Sequence, residues 1–393
     1  MGELGLVDRS AAMSTPAETY YDDSYVEEIK QSGFLKELEV SYRLTTEKGI
    51  QTKLFREVRV MAWNGIPVID GDGHVMEDWD SLLQYMPEPY IKSGRFRGRI
   101  FPPLDHLHSA SLFQLVPGAF QQVGVEGWLE FMDDVGIEKA VLYTTGGLAF
   151  GKVVTGEFAI AVARAWNNWF CETYLKKSPR FQGLALIPMQ EPEEAVKELR
   201  HAVTELGFCG AMIPSTGFKG HLGAKEYWPV YAEANRLGCC LGVHGGAHEG
   251  LGMDYLTPYA PINGLGHPFG QMVAFAGILF NGIFDKFPNV RIGFMEAGVS
   301  WLQTCLERFD RGWETHIQYD PRREYIQLNQ GETVSAYIRR HIEAGRIFVG
   351  CEGTEKALHY LIEAVGNKPF MFSSDFPHEV NNDYCKHEIE EIA

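Results

Sequence analysis

The chain has 393 residues, of which 45% are hydrophobic and 22% are charged, so it can bury a sizeable core and has the composition of an ordinary globular protein. Its formal net charge of −17 argues against nucleic acid or an anionic membrane surface as a partner, because a polyanion would repel it. A small molecule is therefore the expected ligand.

The N-terminal sequence and the cysteines indicate the compartment. No window approaches about 18 uninterrupted apolar residues, and the first ten residues lack the basic and apolar regions of a secretory signal. The seven cysteines, an odd number, fit neither a disulfide framework nor a CxxC metal pattern. These features predict a cytoplasmic protein with reduced thiols and no membrane partner.

The first 65 residues differ in composition and hydrophobic pattern from the rest of the chain. Residues 1–24 are polar, acidic and poor in aliphatic side chains, so they are expected to be disordered. Residues 25–65 combine a short amphipathic stretch with strand-like alternation, which predicts a small N-terminal appendage. Residues 66–393 are predicted to form the main domain.

Within the main domain, eight apolar runs of strand length alternate with segments of helical periodicity. Apolar runs without polar alternation indicate strands that are covered on both faces, and alternation with helices indicates a parallel sheet. Eight such units over roughly 310 residues favour a closed (β/α)8 TIM barrel over an open sheet. The predicted strands are 67–74, 139–145, 181–188, 208–214, 239–244, 290–296, 346–350 and 369–375. The predicted helices are 157–176, 193–206, 228–237, 271–287, 301–315, 333–344 and 356–365.

Residues 75–138 are too long for a simple connection between strands, and they are rich in proline, aromatic residues and histidine. A segment of this length inside a compact domain is typically a lid or a binding insertion. The candidate substrate-binding residues here are His106, Trp79 and Phe113. Together with Phe101, Trp128 and Phe150 they either wall an apolar pocket or pack against one another within the lid.

Polar side chains stand where the first predicted strand ends. Asp70, Asp72 and His74 fall on one face because side chains alternate along a strand. Burying an unpaired carboxylate is costly, and a divalent cation accepts both carboxylate and imidazole ligands. A strand end with ordinary hydrogen bonds is the alternative.

Two further strands also end in polar residues. The fifth ends at His244, which is followed by two glycines that would let it approach a metal closely. The eighth ends at Asp375, which could equally cap a helix. Active-site residues of barrels gather at the carboxyl ends of the strands, so three strand ends together predict a metal site.

Two more residues are candidates for catalysis. Glu296 follows the sixth strand, where it could orient or deprotonate water, bind the cation, or form a salt bridge to an arginine. His267 lies in a Gly-His-Pro segment that is expected to open a helix, and it could contact substrate or transfer protons. His248 and His378 neighbour the candidate ligands, so supporting roles are expected for them.

These residues lie in six recognisable segments: VIDGDGHVME, MDDVGIEKAVLYTT, LALIPMQEPEEAVKEL, LGVHGG, NGIFDKFPNVRIGFMEAGVSWL and FMFSSDFPHE. The set resembles the amidohydrolase-2 family, the relatives of aminocarboxymuconate-semialdehyde decarboxylase within the amidohydrolase superfamily, over residues 66–379. The resemblance implies a barrel of the metal-dependent hydrolase type. It also implies a homodimer or a higher homo-oligomer.

Carried over residue by residue, the resemblance makes Asp72, His74, His244 and Asp375 the ligands of one divalent cation. Zinc is the first expectation, with manganese or iron as alternatives. Asp72 departs from the family's more usual histidine, which makes the site more anionic and favours manganese as well. Glu296 stands where many decarboxylases keep a catalytic histidine, and His267 could fill that role.

The resulting hypothesis is a metal-dependent carboxy-lyase or hydrolase that acts on a small aromatic or cyclic carboxylate. The resemblance favours decarboxylation, whereas Glu296 favours hydrolysis of a C–C, amide or ester bond. In either version Asp375, His267 and Glu296 are the catalytic candidates. The hypothesis from a different class is a metal-free barrel that serves as a binding or assembly module.

Overall fold

The structure is a computed structural model that describes residues 62–63, 65–91, 100–104, 115, 117–316 and 319–392, which belong to one compact unit, residues 60–393. The predicted disordered segment 1–24 and almost all of the appendage 25–65 lie outside the described residues. His106 and Phe113 lie outside them as well.

Eight parallel strands form a nearly closed barrel, as the sequence predicts. Each strand is hydrogen-bonded to the next one along the chain, and all eight predicted runs contain a strand. A short strand β1, Ala62–Trp63, pairs antiparallel with the first barrel strand. The barrel strands are β2 (Ile66–Val75), β3 (Ile137–Thr144), β4 (Phe181–Leu186), β5 (Gly210–Pro214), β6 (Cys240–His244), β7 (Arg291–Phe294), β8 (Ile347–Cys351) and β9 (Phe370–Phe372).

The barrel is joined between its first and last strands just beyond β9. The backbone N–H of Asp375 donates to the carbonyl of Asp72 at 2.8 Å, and the N–H of His74 donates to the carbonyl of Phe376 at 2.7 Å. These two bonds place the residues that follow β9 beside the end of β2.

Helices connect the strands and cover the barrel. They are α1 (Trp79–Leu83), α2 (Gly124–Val135), α3 (Gly156–Phe170), α4 (Pro192–His201), α5 (Trp228–Leu237), α6 (Ala260–Phe280), α7 (Ile283–Lys286), α8 (Ser300–Thr315), α9 (Val334–Glu343), α10 (Leu358–Val365) and α11 (Asn382–Ile392). None of the helices in the described ranges is both long and apolar enough to cross a lipid bilayer.

One helix begins well before its predicted start. The expectation that His267 opens a helix is wrong, because α6 starts at Ala260 and runs through Pro268. The Gly-His-Pro segment has the composition of a helix start, but packing of the helix against the barrel outweighs its low helix propensity. His267 therefore lies two turns inside α6, with its side chain held by a regular element.

The predicted insertion 75–138 contains two helices in its described part. The second, α2, is the ordinary connection between β2 and β3, and its Trp128 is completely buried. The Trp128 indole N–H donates to the carbonyl of His74 at 3.0 Å, so this ring supports the end of β2 instead of lining a pocket. The lid remains a prediction for the residues between β2 and Gly124.

A buried histidine in α9 gives the fold a testable pH dependence. The Nδ1 of His341 accepts from the Arg346 guanidinium at 3.0 Å, and burial together with Arg346 lowers the pKa of His341 to about 3. In the unfolded chain His341 binds a proton below about pH 6.5, whereas in the folded chain it stays neutral down to about pH 3. His341 therefore destabilises the fold as pH falls from about 6.5 towards 3. Between pH 7 and pH 5 the wild type should lose about 1–2 kcal/mol more unfolding free energy than His341→Asn. Urea unfolding at both pH values measures this difference, and equal losses would contradict the assignment.

Candidate metal centre and active site

The four predicted metal ligands meet at the carboxyl ends of β2, β6 and β9. Asp72 Oδ1 lies 3.5 Å from His74 Nε2 and 3.3 Å from His244 Nε2. His74 Nε2 lies 3.5 Å from Asp375 Oδ1. The first three side chains are fully buried, and the side chain of Asp375 is 18% exposed. One small volume therefore has two carboxylates and two imidazoles around it.

Some of the atoms that face this volume have no hydrogen-bond partner. They are Asp72 Oδ2 and His74 Nε2. The Nδ1 atoms of His74 and His244 lie 3.1 Å and 3.3 Å from the backbone carbonyls of Thr144 and Gly245. A proton on each Nδ1 would leave Nε2 as a free donor atom for a metal. The residues present therefore fit a divalent cation, and they form two overlapping candidate ligand groups, Asp72 with His74 and His244, and His74 with Asp375 and His378.

Burial and mutual repulsion disfavour the ionised forms of the carboxyl groups in the site. Burial and the carboxylate of Asp72 raise the pKa of Asp375 well above its usual range. Burial and Asp375 raise the pKa of Glu296 to about 8. Burial lowers the pKa of His244, but the carboxylates of Asp72 and Glu296 outweigh it and raise that pKa to about 9. A bound cation would remove this repulsion between carboxylates.

Asp70 differs from the other polar residues on its strand. Its Oδ1 accepts from the backbone N–H groups of Asp72 and Ser374 at 3.1 and 3.0 Å, and its Oδ2 accepts from the Ser374 hydroxyl at 2.7 Å. Asp70 thus joins β2 to the end of β9, and it is absent from both candidate ligand groups.

His378, for which the sequence predicts a supporting role, lies in contact with the candidate ligand Asp375. Its Nδ1 lies 2.7 Å from Asp375 Oδ1, and its ring stacks on His74 with the centroids 4.1 Å apart. Its Nε2 lies 3.0 Å from the Thr145 hydroxyl. The imidazole is therefore held on two sides and can exchange a proton with Asp375.

Glu296 and His267 form a second pair beside the candidate metal ligands. Glu296 Oε2 lies 3.3 Å from His244 Nδ1 and 3.6 Å from His267 Nδ1. The alternative of a salt bridge between Glu296 and an arginine finds no support among the described residues. A Cβ atom at Gly245 would lie 1.7 Å from His267 Nδ1, so only glycine lets this ring approach.

The backbone is strained at two of these positions. Glu296 and Asp375 both have φ near 54°, a left-handed conformation that is uncommon for residues other than glycine. Such strain is typical of functional sites, where the surrounding structure maintains it. Each of these residues follows a barrel strand, so the turn aims its carboxylate across the barrel end.

Two cavities lie at this end of the barrel, one lined by the candidate ligand Asp375 and the other by its neighbour His378. The aromatic cavity has a volume of about 390 Å³, and its apolar lining includes Trp79, Phe101, Leu104, Phe120 and Tyr259. The acidic cavity has a volume of about 450 Å³, and its charged lining residues are Glu296, Glu352, Asp375, Glu379 and Glu388. Both cavities are bordered by Asn263, His267, Glu296 and Glu379.

The structure therefore separates the predicted pocket residues that line the aromatic cavity from those that are buried behind it. Trp79 and Phe101 line the aromatic cavity, whereas Phe150 is completely buried behind Phe101, with the ring centroids 6.0 Å apart. The sequence could not separate these residues, because a buried aromatic and a cavity-lining aromatic have the same local pattern. Glu388, which the sequence analysis did not single out, lies in a polar helix that resembles an exposed one.

Gly73 provides a test of how the end of β2 is packed. A Cβ atom there would lie 2.3 Å from the buried ring of Trp128, which has no room to move. We expect Gly73→Ala to destabilise the fold by about 2 kcal/mol or more and to weaken metal retention, since Gly73 separates Asp72 from His74. Thermal unfolding and metal analysis measure both effects. Gly312→Ala, in α8 with nothing near its Cβ, is the control, and equal behaviour of the two variants would contradict this packing.

The chain is similar to known proteins over most of its length. The family model described as amidohydrolase matches residues 69–384. A 2-amino-3-carboxymuconate-6-semialdehyde decarboxylase of Dictyostelium discoideum is 25% identical over 283 residues, which cover 70% of this chain and 74% of that protein. A gamma-resorcylate decarboxylase of Rhodococcus jostii (strain RHA1) is 28% identical over 282 residues, which cover 64% of this chain and 76% of that protein.

A solved structure has the same fold. The dihydroxybenzoic acid decarboxylase of Polaromonas sp. JS666, with bound manganese and the inhibitor 2-nitroresorcinol, superposes with a TM-score of 0.56 and 19% identity. The match covers 82% of this chain and 90% of that one. The family match spans about four-fifths of the sequence and agrees with the barrel and with the resemblance of its strand ends, so the chain belongs to the amidohydrolase family and is an enzyme.

Proposed function

We propose that this enzyme is a metal-dependent decarboxylase of a small aromatic or cyclic carboxylate, with one divalent cation held by Asp72, His74, His244 and Asp375. The observation that carries the proposal is a group of buried carboxylate and imidazole side chains near the aromatic cavity. Some of their oxygen and nitrogen atoms have no hydrogen-bond partner. The names of the relatives, which are decarboxylases of carboxylated aromatic or unsaturated compounds, support it.

The cation, when bound, supplies a positive charge that stabilises negative charge on the substrate. The carboxylates of Asp72 and Asp375 are hard ligands, and the imidazoles of His74 and His244 suit several transition metals. Manganese is the first ion to test, because the Polaromonas neighbour is described with bound manganese. Zinc, the first expectation from the sequence, is the second.

Decarboxylation breaks the bond between the ring carbon and the carboxylate, and carbon dioxide leaves while the carbon keeps the electron pair and takes a proton. We assign this proton to Asp375. Its short contact with His378, at 2.7 Å, lets the two side chains pass a proton between them. Since His378 also lines the aromatic cavity, it can restore the proton after each turnover.

Glu296 and His267 stand where the aromatic and acidic cavities meet. They are therefore placed to orient a hydroxyl or carboxylate group of the substrate while its ring lies against Trp79 and Phe101. The apolar wall excludes water from one side of the ring, which strengthens the electrostatic interactions in the site.

Hydrolysis is the second candidate, and Glu296 favours it. The buried Glu296 Oε2 has no hydrogen-bond partner, so it could accept a proton from an attacking water. The substrate would then gain the elements of water and would release no gas.

A panel of hydroxybenzoic and unsaturated dicarboxylic acids, incubated with manganese-loaded and metal-free protein, tests the proposal. Release of carbon dioxide that requires the metal is the expected result. Products that gain the mass of water without gas would replace decarboxylation with hydrolysis. Bound ligand without any turnover, at unchanged affinity in the metal-free protein, would favour a binding module.

The quaternary structure and the compartment belong to the same proposal. We expect a homodimer or a higher homo-oligomer, which light scattering of the purified protein measures. We expect the protein in the cytoplasm, which fractionation of the source cells tests.

A further inference from the structure

The acidic cavity is lined by three carboxylates, those of Glu352, Glu379 and Glu388, that have no role in the proposed decarboxylation. Five carboxylate side chains line it in all, and no lysine or arginine is among its lining residues in the described part of the chain. An anionic substituent of a ligand would be repelled there, whereas a cationic one would be attracted. The aromatic cavity beside it has a different lining, with aromatic and aliphatic side chains predominating.

Glu388 shows that this cavity is more than a cluster of surface acids. Glu388 is completely buried, with 0% exposure, and neither of its carboxylate oxygens has a hydrogen-bond partner. Burial and the neighbouring carboxylates, Glu352 foremost, raise the pKa of Glu388 to about 8. A buried carboxylate without a partner destabilises a fold, so a binding role explains why it is kept.

Away from the candidate metal centre, two other buried carboxylates among the described residues are paired. Glu198 accepts from Asn167 at 2.8 Å and also contacts the Arg164 guanidinium. Glu233 accepts from Arg200 at 2.8 Å and from Arg236 at 2.6 Å. The absence of such a partner at Glu388 therefore distinguishes it from carboxylates that serve only the fold.

The position of Glu388 is fixed by close packing of α11. A Cβ atom at Gly353, in the loop after β8, would lie 2.0 Å from the backbone carbonyl oxygen of Glu388. Glycine thus lets the helix backbone approach the barrel end, and this approach brings the carboxylate into the wall of the acidic cavity. The site is built on a regular helix that is held by the barrel.

We propose that the acidic cavity binds the ammonium group of an organic ligand, so that preferred substrates are carboxylates that also carry a basic amine. This inference rests on the proposed function, since the substrate's carboxylate would be held at the metal centre. An organic cation fits better than a second metal ion, because the described residues form no three-ligand group around Glu388. Tyr384, which is 40% exposed, adds an aromatic ring to the lining, and aromatic rings beside carboxylates attract organic cations.

Two probes that differ only in the cationic group test this inference. Binding of para-(aminomethyl)benzoate and of para-methylbenzoate to manganese-loaded protein is measured by isothermal titration calorimetry. The amine is expected to bind about tenfold more tightly or better, because its ammonium group would form charge-assisted hydrogen bonds with carboxylates of the acidic cavity. Glu388→Gln and Glu352→Gln should each reduce this preference, and the double variant should abolish it. Glu391→Gln, an exposed position on the same helix with the same change of charge, should keep it.

Equal affinity for the two probes, including weak or undetectable binding of both, would overturn the inference. A preference for the amine that survives the double variant would overturn it too. Glu388→Gln replaces a buried carboxyl group that has no hydrogen-bond partner with a neutral group of the same shape, so we expect it to fold with an unchanged or higher melting temperature. Failure of the proposed function is seen separately: the amine preference would persist while no member of the acid panel releases carbon dioxide.

Discussion

His244→Ala is expected to abolish turnover and metal retention together. The imidazole is fully buried, and its Nε2 lies 3.3 Å from Asp72 Oδ1, where both would face one cation. Alanine offers no donor atom, so the cation would lose one of its four proposed ligands. Loss of a ligand lowers metal affinity severely, by more than about 100-fold. Metal content after dialysis and carbon dioxide release are measured on the same samples.

The control for this prediction is His387→Ala, an exposed histidine on α11. It should retain both metal and activity. Thermal unfolding of the two variants separates a local loss from a general loss of structure. If His244→Ala kept its metal and its turnover, the site would have been assigned to the wrong residues.

Asp375→Asn is expected to reduce turnover by about a thousandfold while retaining part of the bound metal. The amide keeps one oxygen as a ligand but has no acidic proton to give to the ring carbon, and general acid catalysis contributes about 10²- to 10⁴-fold. The contact between Asp375 and His378 would also change from proton exchange to an ordinary hydrogen bond. Single-turnover kinetics at saturating manganese isolates this effect from the loss of metal.

Asp383→Asn, at the exposed start of α11, is the matched control for the loss of one carboxylate. It should behave like the wild type. A turnover of Asp375→Asn within a factor of a few of the wild type would remove Asp375 as the proton donor and would favour the Glu296 and His267 pair.

The barrel could be predicted because its strands are buried on both faces. Runs such as 208–214 and 239–244 are continuous and apolar, and this pattern can be recognised in the sequence without knowledge of any long-range contact. The polar residues at the ends of these runs then stand out, which is why His244 and Asp375 could be identified.

The finer arrangement of the site depends on contacts between distant residues. Asp70 and Asp72 fall on the same face of one strand, and only the bonds from Ser374, some three hundred residues away, separate the structural carboxylate from the candidate ligand. Glu388 was missed because its helix is rich in polar residues, and its burial comes from the close approach at Gly353. Local periodicity carries no information about either contact.

A crystal grown with manganese and measured near the manganese absorption edge tests the central claim most directly. One anomalous peak is expected within coordination distance of Asp72, His74, His244 and Asp375. A peak located elsewhere, or no peak in a protein that still releases carbon dioxide from an aromatic acid, would contradict the proposed metal centre.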